Sequence, residues 1–167
     1  MKRVIFLDID GVLNTASDSP VTLLRPKCIA ALNRITQTTG ASIIISSNRR
    51  FETMAENSFS THACVSLLKN NGVRGYVWNT LTAYQKFNHC KWPTILIAQA
   101  REAAIWEGWM NFCKENPCFQ HFIAIDDDPS ILELGKYHAV LTDPITGLTE
   151  ADADKAIQIL LPANTKK

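Results

Sequence analysis

Uninterrupted apolar runs alternate along the chain with stretches in which apolar residues recur three and four positions apart. The runs are short and rich in β-branched residues, which predicts buried strands, whereas the spaced pattern predicts amphipathic helices. Five strands are predicted, at residues 4–7, 41–46, 76–81, 121–125 and 138–143. Helices are predicted over residues 25–39, 53–70, about 93–115 and 149–161.

Residues that start and stop helices support these boundaries. Gly40 follows the first predicted helix and suits a left-handed helix end. Thr149 with Asp152 forms a capping-box pattern at the start of the last helix. Asp128 directly precedes Pro129, which is typical of an N-cap followed by proline in the first helical position.

The order of the elements predicts the fold class. Strands alternate with helices, and the strands are apolar throughout rather than at every second position. This pattern is typical of a parallel sheet that is covered by helices on both faces. We expect a single three-layer α/β domain with a Rossmann-like parallel sheet over residues 1–162, followed by a frayed tail at 163–167.

Composition and charge narrow the classes of protein. The chain has 167 residues, with 17 Lys and Arg against 16 Asp and Glu, and a net charge of +1. This balance gives no strong non-specific attraction to nucleic acid or anionic lipid. The N-terminal apolar stretch is too short for a signal peptide, and no segment is long enough to span a bilayer. We expect a cytoplasmic protein with reduced thiols, while delivery by a C-terminal or other secretion signal stays open.

Acidic and hydroxyl side chains follow three of the predicted strands. Asp8 and Asp10 come after the first strand, Ser46 ends the second, and Asp126 and Asp127 end the fourth. The carboxyl ends of parallel strands share one edge of a sheet, where such folds bind ligands. Carboxylates together with a substrate phosphate suit Mg²⁺, and an aspartate can also attack phosphorus. The sequence therefore predicts magnesium-dependent phosphoryl chemistry at this edge.

The segment FLDIDGVLN, residues 6–14, resembles the first motif of the haloacid-dehalogenase-like (HAD) phosphohydrolases, in which apolar residues precede Asp-x-Asp-Gly. The other three motifs of that superfamily have candidates in the expected order: Ser46, then Arg101 with Lys86 as the reserve, then Asp126 and Asp127. The chain is further similar to the small HAD domain of bacterial RNA-repair fusion proteins and its stand-alone relatives. SSNRR, residues 46–50, departs from that pattern because Arg49 replaces a tryptophan.

The resemblance implies a role for each motif residue. Asp8 would be the nucleophile that forms an aspartyl-phosphate, and Asp10 the general acid and base. Mg²⁺ would bind Asp8, the backbone carbonyl of Asp10 and the Asp126–Asp127 pair, and Arg101 would orient Asp8. The phosphate would contact a further set of residues, which comprises Gly11, Ser46, Ser47, Arg49 and Arg50.

Rival chemistries have weaker support in the sequence. Cys28 and Arg34 have the Cys-x5-Arg spacing of cysteine-dependent phosphatases, but they lie inside a predicted helix without a glycine-rich loop. Cys113, Cys118 and His121 lack a fourth zinc ligand. A receiver-type phosphoacceptor would need an aspartate on the third strand. A non-catalytic HAD-like binding module stays open.

The spacing between the motifs indicates the kind of substrate. Residues 14–40 and 51–100 leave little room for a folded cap, so we expect a capless or minimally capped enzyme with an open site. An open site suits a phosphorylated macromolecule. The first hypothesis is a phosphoprotein, including phosphotyrosine supported by aromatic residues of the segment 76–92, and the alternative is a nucleic-acid end. No obligate protein partner is indicated.

Overall fold

The computed structural model describes residues 2–18, 24–47, 61–78, 105, 109–110 and 112–162. The strands are β1 (Lys2–Leu7), β2 (Ser42–Ile45), β3 (Val77–Trp78), β4 (Phe119–Asp126) and β5 (Ala139–Leu141). The α-helices with defined bounds are α1 (Pro26–Thr39), α2 (Thr61–Asn70) and α3 (Glu150–Leu160), and a 3₁₀ helix spans Pro129–Leu134. Residues 105, 109, 110 and 112–115 are also helical.

The five strands form one parallel sheet in the order β3-β2-β1-β4-β5. Strand β1 is therefore central, with β2 and β4 as its hydrogen-bonded neighbours. Such a sheet needs a crossover between successive parallel strands, and the helices supply crossovers. The predicted α/β fold with a parallel sheet is confirmed.

Both faces of the sheet are buried, as uninterrupted apolar strands require. Ile5 and Leu7 of β1 face the larger cluster, to which α1, α2 and α3 contribute. Val4 and Phe6 face the other cluster, together with the helical residues Ile105 and Trp109 and the 3₁₀ helix. Successive β1 residues thus pack into opposite cores, and none of the four is accessible to solvent.

The strand boundaries differ from the prediction by one or two residues at an end: β1 begins at Lys2 rather than residue 4, β5 covers Ala139–Leu141 rather than 138–143, and β4 differs at both ends. The start of β4 was predicted at residue 121, but the strand begins at Phe119 and continues through Asp126. Phe119 is buried and Gln120 is exposed, so this end of β4 is covered on one face only. Polar residues are tolerated there, and a search for an uninterrupted apolar run misses them. Parts of the helices predicted over 53–70 and 93–115 lie outside the described residues.

The signals at helix ends are confirmed. Gly40 ends α1 in the left-handed conformation, at φ 66°, and donates its N–H to the carbonyl of Thr36. Thr149 and Asp152 form a reciprocal capping box at the start of α3. Asp128 caps the helix at Pro129, which is a 3₁₀ helix. No helix in the described part of the chain is long and apolar enough to cross a membrane.

The loop that follows β1 is fastened to the start of α1 by an ion pair. Arg25 donates to both carboxylate oxygens of Asp18, at 2.6 and 2.9 Å. Thr15 donates its N–H and its hydroxyl to the same carboxylate. The hydrogen bonds from Arg25 are the largest cause of a strongly lowered pKa for Asp18. The geometry is bidentate, which is the strongest form of such a pair.

We predict that Asp18→Asn destabilises the protein at neutral pH and that this difference from the wild type shrinks in acid. Because folding lowers the pKa of Asp18, its contribution is complete above about pH 4 and is lost progressively as the pH falls further. The check is the midpoint of urea unfolding at neutral pH and at about pH 3.

Asp154→Asn serves as the control for the Asp18 test. Asp154 also pairs with an arginine, Arg34, but its side chain is 66% exposed, against 14% for Asp18. Exposed ion pairs contribute little to stability, so this variant should unfold at a urea concentration close to that of the wild type. The prediction would be contradicted if the difference in urea midpoint between Asp18→Asn and the wild type were the same in acid as at neutral pH.

Candidate active site

The register of the central strands brings three polar residues to one edge of the sheet. Leu7 ends β1 and is in register with the last residue of β2 and the penultimate residue of β4. The next residues along the three strands are Asp8, Ser46 and Asp126. Backbone hydrogen bonds fix this level, from Asp8 N to Ile125 O at 3.0 Å and from Ser46 N to Leu7 O at 2.8 Å.

Three carboxylates converge at this edge. Asp8, Asp126 and Asp127 each offer an oxygen, and these oxygens lie within 4.8 Å of one another. Asp8 is only 4% exposed and Asp126 is fully buried. Backbone N–H groups hold their orientation: Ile9 donates to Asp8 Oδ1 at 2.7 Å and Asp128 donates to Asp126 Oδ1 at 2.9 Å.

This donor set fits a hard divalent cation. Carboxylate oxygens are the preferred protein ligands of Mg²⁺, which commonly binds through a few of them and keeps its remaining positions for water and phosphate. Like charges this close in a buried place repel one another, and a bound cation relieves that repulsion. Within the described ranges, this trio is the one group of acidic, histidine or cysteine side chains that can hold a metal ion.

Ser46 places a hydroxyl beside the carboxylates. Its side chain is 1% exposed, and its Oγ has no hydrogen-bond partner among the described residues. A buried hydroxyl without a partner is costly, and a ligand oxygen could accept its proton. Ser47 is also buried at this edge. The geometry thus leaves a donor next to the acidic cluster, as binding of a phosphoryl group requires.

Gly11 allows Asp127 to approach the loop after β1. Its backbone is left-handed, at φ +69°, which side chains rarely adopt. A Cβ atom at this position would collide with the carboxyl group of Asp127 and would lie 2.8 Å from its Cβ. Glycine is therefore required here by both the backbone conformation and the space, and Asp127 packs directly over it.

Two side chains without a predicted role also shape this loop. Asn14 donates from Nδ2 to Asp10 Oδ1 at 2.9 Å and accepts the Gly11 N–H at 3.0 Å. Thr142, just after β5, donates its hydroxyl to the Gly11 carbonyl at 2.9 Å. Their only signal in the sequence is position: Asn14 lies inside the first motif, and Thr142 is the next-to-last residue of the strand predicted over 138–143.

The comparison with protein families decides where the chain belongs. The model for the HAD domain in Swiss Army Knife RNA repair proteins matches residues 4–153, which is most of the chain. This chain belongs to that family. Membership confirms the HAD resemblance and supports, in general terms, a phosphatase-type hydrolase. No curated protein and no solved structure matches the chain significantly.

The structure places the acidic and hydroxyl motifs of this HAD domain together. Asp8, Ser46, Asp126 and Asp127 meet at the carboxyl edge of the sheet, while the side chain of Asp10 lies on the adjoining loop. The predicted cations lie outside the described residues; they are Arg101, its reserve Lys86, Arg49 and Arg50. The roles assigned to all of these residues stay predictions.

The two rival sites are not assembled in this HAD domain. Cys28 is buried in the first turn of α1, and burial raises the pKa of its thiol. Arg34 instead pairs with Glu150 and Asp154 of α3. The zinc candidates Cys113, Cys118 and His121 do not form a metal-holding group within the described part of the chain.

We predict that Gly11→Ala weakens binding of Mg²⁺ by displacing Asp127. The new methyl group would occupy the space of the Asp127 carboxyl group, so one member of the trio must move. The measurement is calorimetric titration of Mg²⁺ into both proteins, with melting temperatures recorded alongside.

Gly40→Ala is a matched control for the glycine test. Gly40 has nearly the same backbone angle, at φ +66°, but a Cβ there meets nothing within 4 Å. Both alanine variants should lose about 1–2 kcal/mol of stability from the left-handed backbone. Only Gly11→Ala should bind Mg²⁺ less tightly, and equal affinities in the two variants would refute the packing role of Gly11.

Proposed function

We propose that the protein is a magnesium-dependent phosphomonoester hydrolase that works through an aspartyl-phosphate on Asp8. The observation that carries the proposal is the convergence of Asp8, Asp126 and Asp127 beside the buried hydroxyl of Ser46. Carboxylates that bind a cation and a hydroxyl that binds an anion are complementary to a phosphate group. Family membership supports the same class of reaction.

The proposed reaction has two steps. In the first, an oxygen of Asp8 bonds to phosphorus while the bond from phosphorus to the leaving oxygen breaks, and Asp10 gives its proton to that oxygen. In the second, water attacks the phosphorus, its proton passes to Asp10, and the bond to Asp8 breaks. Inorganic phosphate and the starting carboxylate result, so Asp10 serves first as acid and then as base.

The remaining residues would hold the reacting groups. Asp8, Asp126 and Asp127, with the backbone carbonyl of Asp10, would bind Mg²⁺, which supplies positive charge where the phosphoryl oxygens become more negative. Ser46 and the N–H of Ser47 would bind those oxygens. Arg101 would orient Asp8.

Phosphate binding would extend beyond the residues at the strand ends. In the proposal, Gly11 lets the backbone approach the anion, and Arg49 and Arg50 contact the phosphate or its acidic neighbours. We further propose that residues 1–162 act as one cytoplasmic domain. Its partner would be a phosphorylated macromolecule.

We predict that Asp8→Asn abolishes hydrolysis of an aryl phosphate, by at least about 10³-fold, because the amide cannot form the phosphoenzyme. The substitution nearly keeps the shape of the side chain and removes one of three neighbouring negative charges. Without Mg²⁺ the variant should therefore melt no lower than the wild type. Release of 4-nitrophenolate and thermal unfolding measure the two effects.

EDTA should remove the activity of the wild type, and added Mg²⁺ should restore it. Asp143→Asn is a matched control, since Asp143 lies after β5 and its carboxylate accepts the N–H of Ile145 in an exposed turn. It should hydrolyse the aryl phosphate at the rate of the wild type. Full activity of Asp8→Asn, or activity untouched by EDTA, would refute the proposed mechanism.

For the substrate we propose the terminal phosphate of a nucleic acid. The family is described by its occurrence in RNA repair proteins, and end phosphates are a substrate class of repair. A phosphoprotein, with phosphotyrosine as the specific case, is the first hypothesis from the sequence and becomes the second candidate here. Of the segment 76–92, residues 79–92 lie outside the described residues, and Trp78 packs against Phe112 and Phe119 in the core. Tyr76 precedes β3, at the opposite end of that strand from the site.

We predict that oligonucleotides with a 3′- or 5′-phosphate are hydrolysed with a kcat/KM at least about tenfold above that of phosphotyrosine peptides, phosphoserine peptides and mononucleotides. Longer substrates can use binding energy remote from the phosphate, which raises the specificity ratio. Phosphate release across this panel is the measurement. A preference for phosphotyrosine peptides would favour the phosphoprotein hypothesis, and tight binding without turnover would indicate a non-catalytic module.

A further inference from the structure

The amide of Asn14 links the side chain of Asp10 to the backbone of Gly11. Asn14 is 3% exposed, donates to Asp10 Oδ1 at 2.9 Å and accepts from Gly11 N at 3.0 Å. A backbone N–H can only donate, so the amide oxygen must face Gly11 and the amide nitrogen must face Asp10. The two contacts together therefore determine which way this amide is turned.

We propose that Asn14 is a positioning residue that holds the carboxyl group of Asp10 in the orientation from which it acts on the leaving group. This inference rests on the proposed function, in which Asp10 protonates the leaving group. The amide N–H of Asn14 donates to Oδ1 of Asp10 at 2.9 Å, and this contact restricts how the carboxyl group can turn. A carboxyl group that is free to turn would be aligned with the leaving oxygen less often, so loss of this contact should slow the departure of leaving groups that need a proton.

The backbone around Asn14 is held firmly enough for this role. The carbonyl of Leu13 accepts the N–H of Arg25 at 2.7 Å, and the carbonyl of Val12 accepts the N–H of Leu148 at 2.7 Å. The N–H of Leu13 donates to Ile9 at 2.8 Å. Contacts to α1, to the segment before α3 and to the end of β1 thus fix the loop. A positioning side chain must itself be fixed if it is to orient another group.

A purely structural role is the rival explanation, because Asn14 also binds the Gly11 N–H. Asn14→Asp keeps an acceptor for the Gly11 N–H, has no N–H to donate to Asp10, and adds a negative charge beside that carboxyl group. Asn14→Ala removes both bonds. If orientation of Asp10 is the role, both variants lose activity mainly with leaving groups that need a proton, whereas a loop-shaping role lowers kcat/KM alike for all leaving groups.

The experiment compares substrates with different leaving groups and uses the enzyme loaded with Mg²⁺. The substrates are 2,4-dinitrophenyl, 4-nitrophenyl and phenyl phosphate, and kcat/KM is measured because it reports the step that expels the leaving group. Dinitrophenolate departs without a proton, whereas phenolate needs one. We expect both Asn14 variants to lose about 10- to 100-fold with phenyl phosphate and less than about threefold with the dinitrophenyl ester.

A double-mutant cycle with Asp10→Asn gives a second readout. If Asn14 acts through Asp10, adding Asn14→Ala to Asp10→Asn should not lower kcat/KM for phenyl phosphate any further, since the acid is already absent. Calorimetric affinity for Mg²⁺ is measured in both Asn14 variants, because Asn14 binds the Gly11 N–H of the peptide group whose Asp10 carbonyl is proposed to bind the metal, and kcat/KM is then compared at saturating Mg²⁺. These readouts separate orientation of the acid from loss of the metal site.

Asn33→Ala is the matched control for removal of a bridging amide. Asn33 donates to Gly72 O at 2.9 Å and accepts from Arg74 N at 2.6 Å, so it also links two groups through one amide. It joins α1 to the segment before β3, away from the carboxylates. Asn33→Ala should lower the melting temperature and leave the dependence of kcat/KM on the leaving group unchanged.

Three results would overturn the inference. Equal losses for all three substrates, or losses that add to those of Asp10→Asn, would make Asn14 a structural residue while the phosphatase mechanism stands. The same conclusion would follow if kcat/KM of Asn14→Asp depended on the leaving group as it does in the wild type. Absence of Asp8-dependent hydrolysis in the wild type would instead refute the proposed function, and this inference with it.

Discussion

Asp8 and Asp126 are buried side by side, and the rest of the site follows from that constraint. Two carboxylates without access to water repel each other and lose their hydration, which costs several kcal/mol unless donors or a cation compensate. The parallel register of β1 and β4 enforces the proximity, because Asp8 and Asp126 follow the paired residues Leu7 and Ile125. The fold therefore builds in a requirement for positive charge at this edge, and a divalent cation is the ligand that meets it most directly.

The protein offsets part of this cost with fixed dipoles. Ile9 and Asp128 each donate a backbone N–H to one carboxylate, and both groups belong to the turns that end a strand. Backbone donors at strand ends cannot swing away, so each carboxylate keeps its orientation whether or not a ligand is present. Asp127 is less buried and packs over Gly11, which brings a third oxygen to the edge without a third fully buried charge.

Strand ends were predictable from the sequence, and the contacts made by loop side chains were not. An uninterrupted apolar run followed by Asp8 or Asp126 identifies both a buried strand and its terminus, so these residues could be assigned to one edge. Asn14 was missed because an asparagine after a strand is typical of any turn, and periodicity does not show where its amide points. Thr142 was missed because its acceptor, Gly11, lies 131 residues away in the chain.

Asp8 and Asp10 are two residues apart but are supported in different ways. Asp8 extends directly from the central strand and is held by the backbone, as suits an atom that must lie in line with the phosphorus. Asp10 lies on the following loop, is less buried and is held by the side chain of Asn14. The leaving oxygen in the first step and the water in the second both lie opposite Asp8, so a carboxyl group that one side-chain contact holds in place can serve both steps. The two supports thus correspond to the two proposed roles.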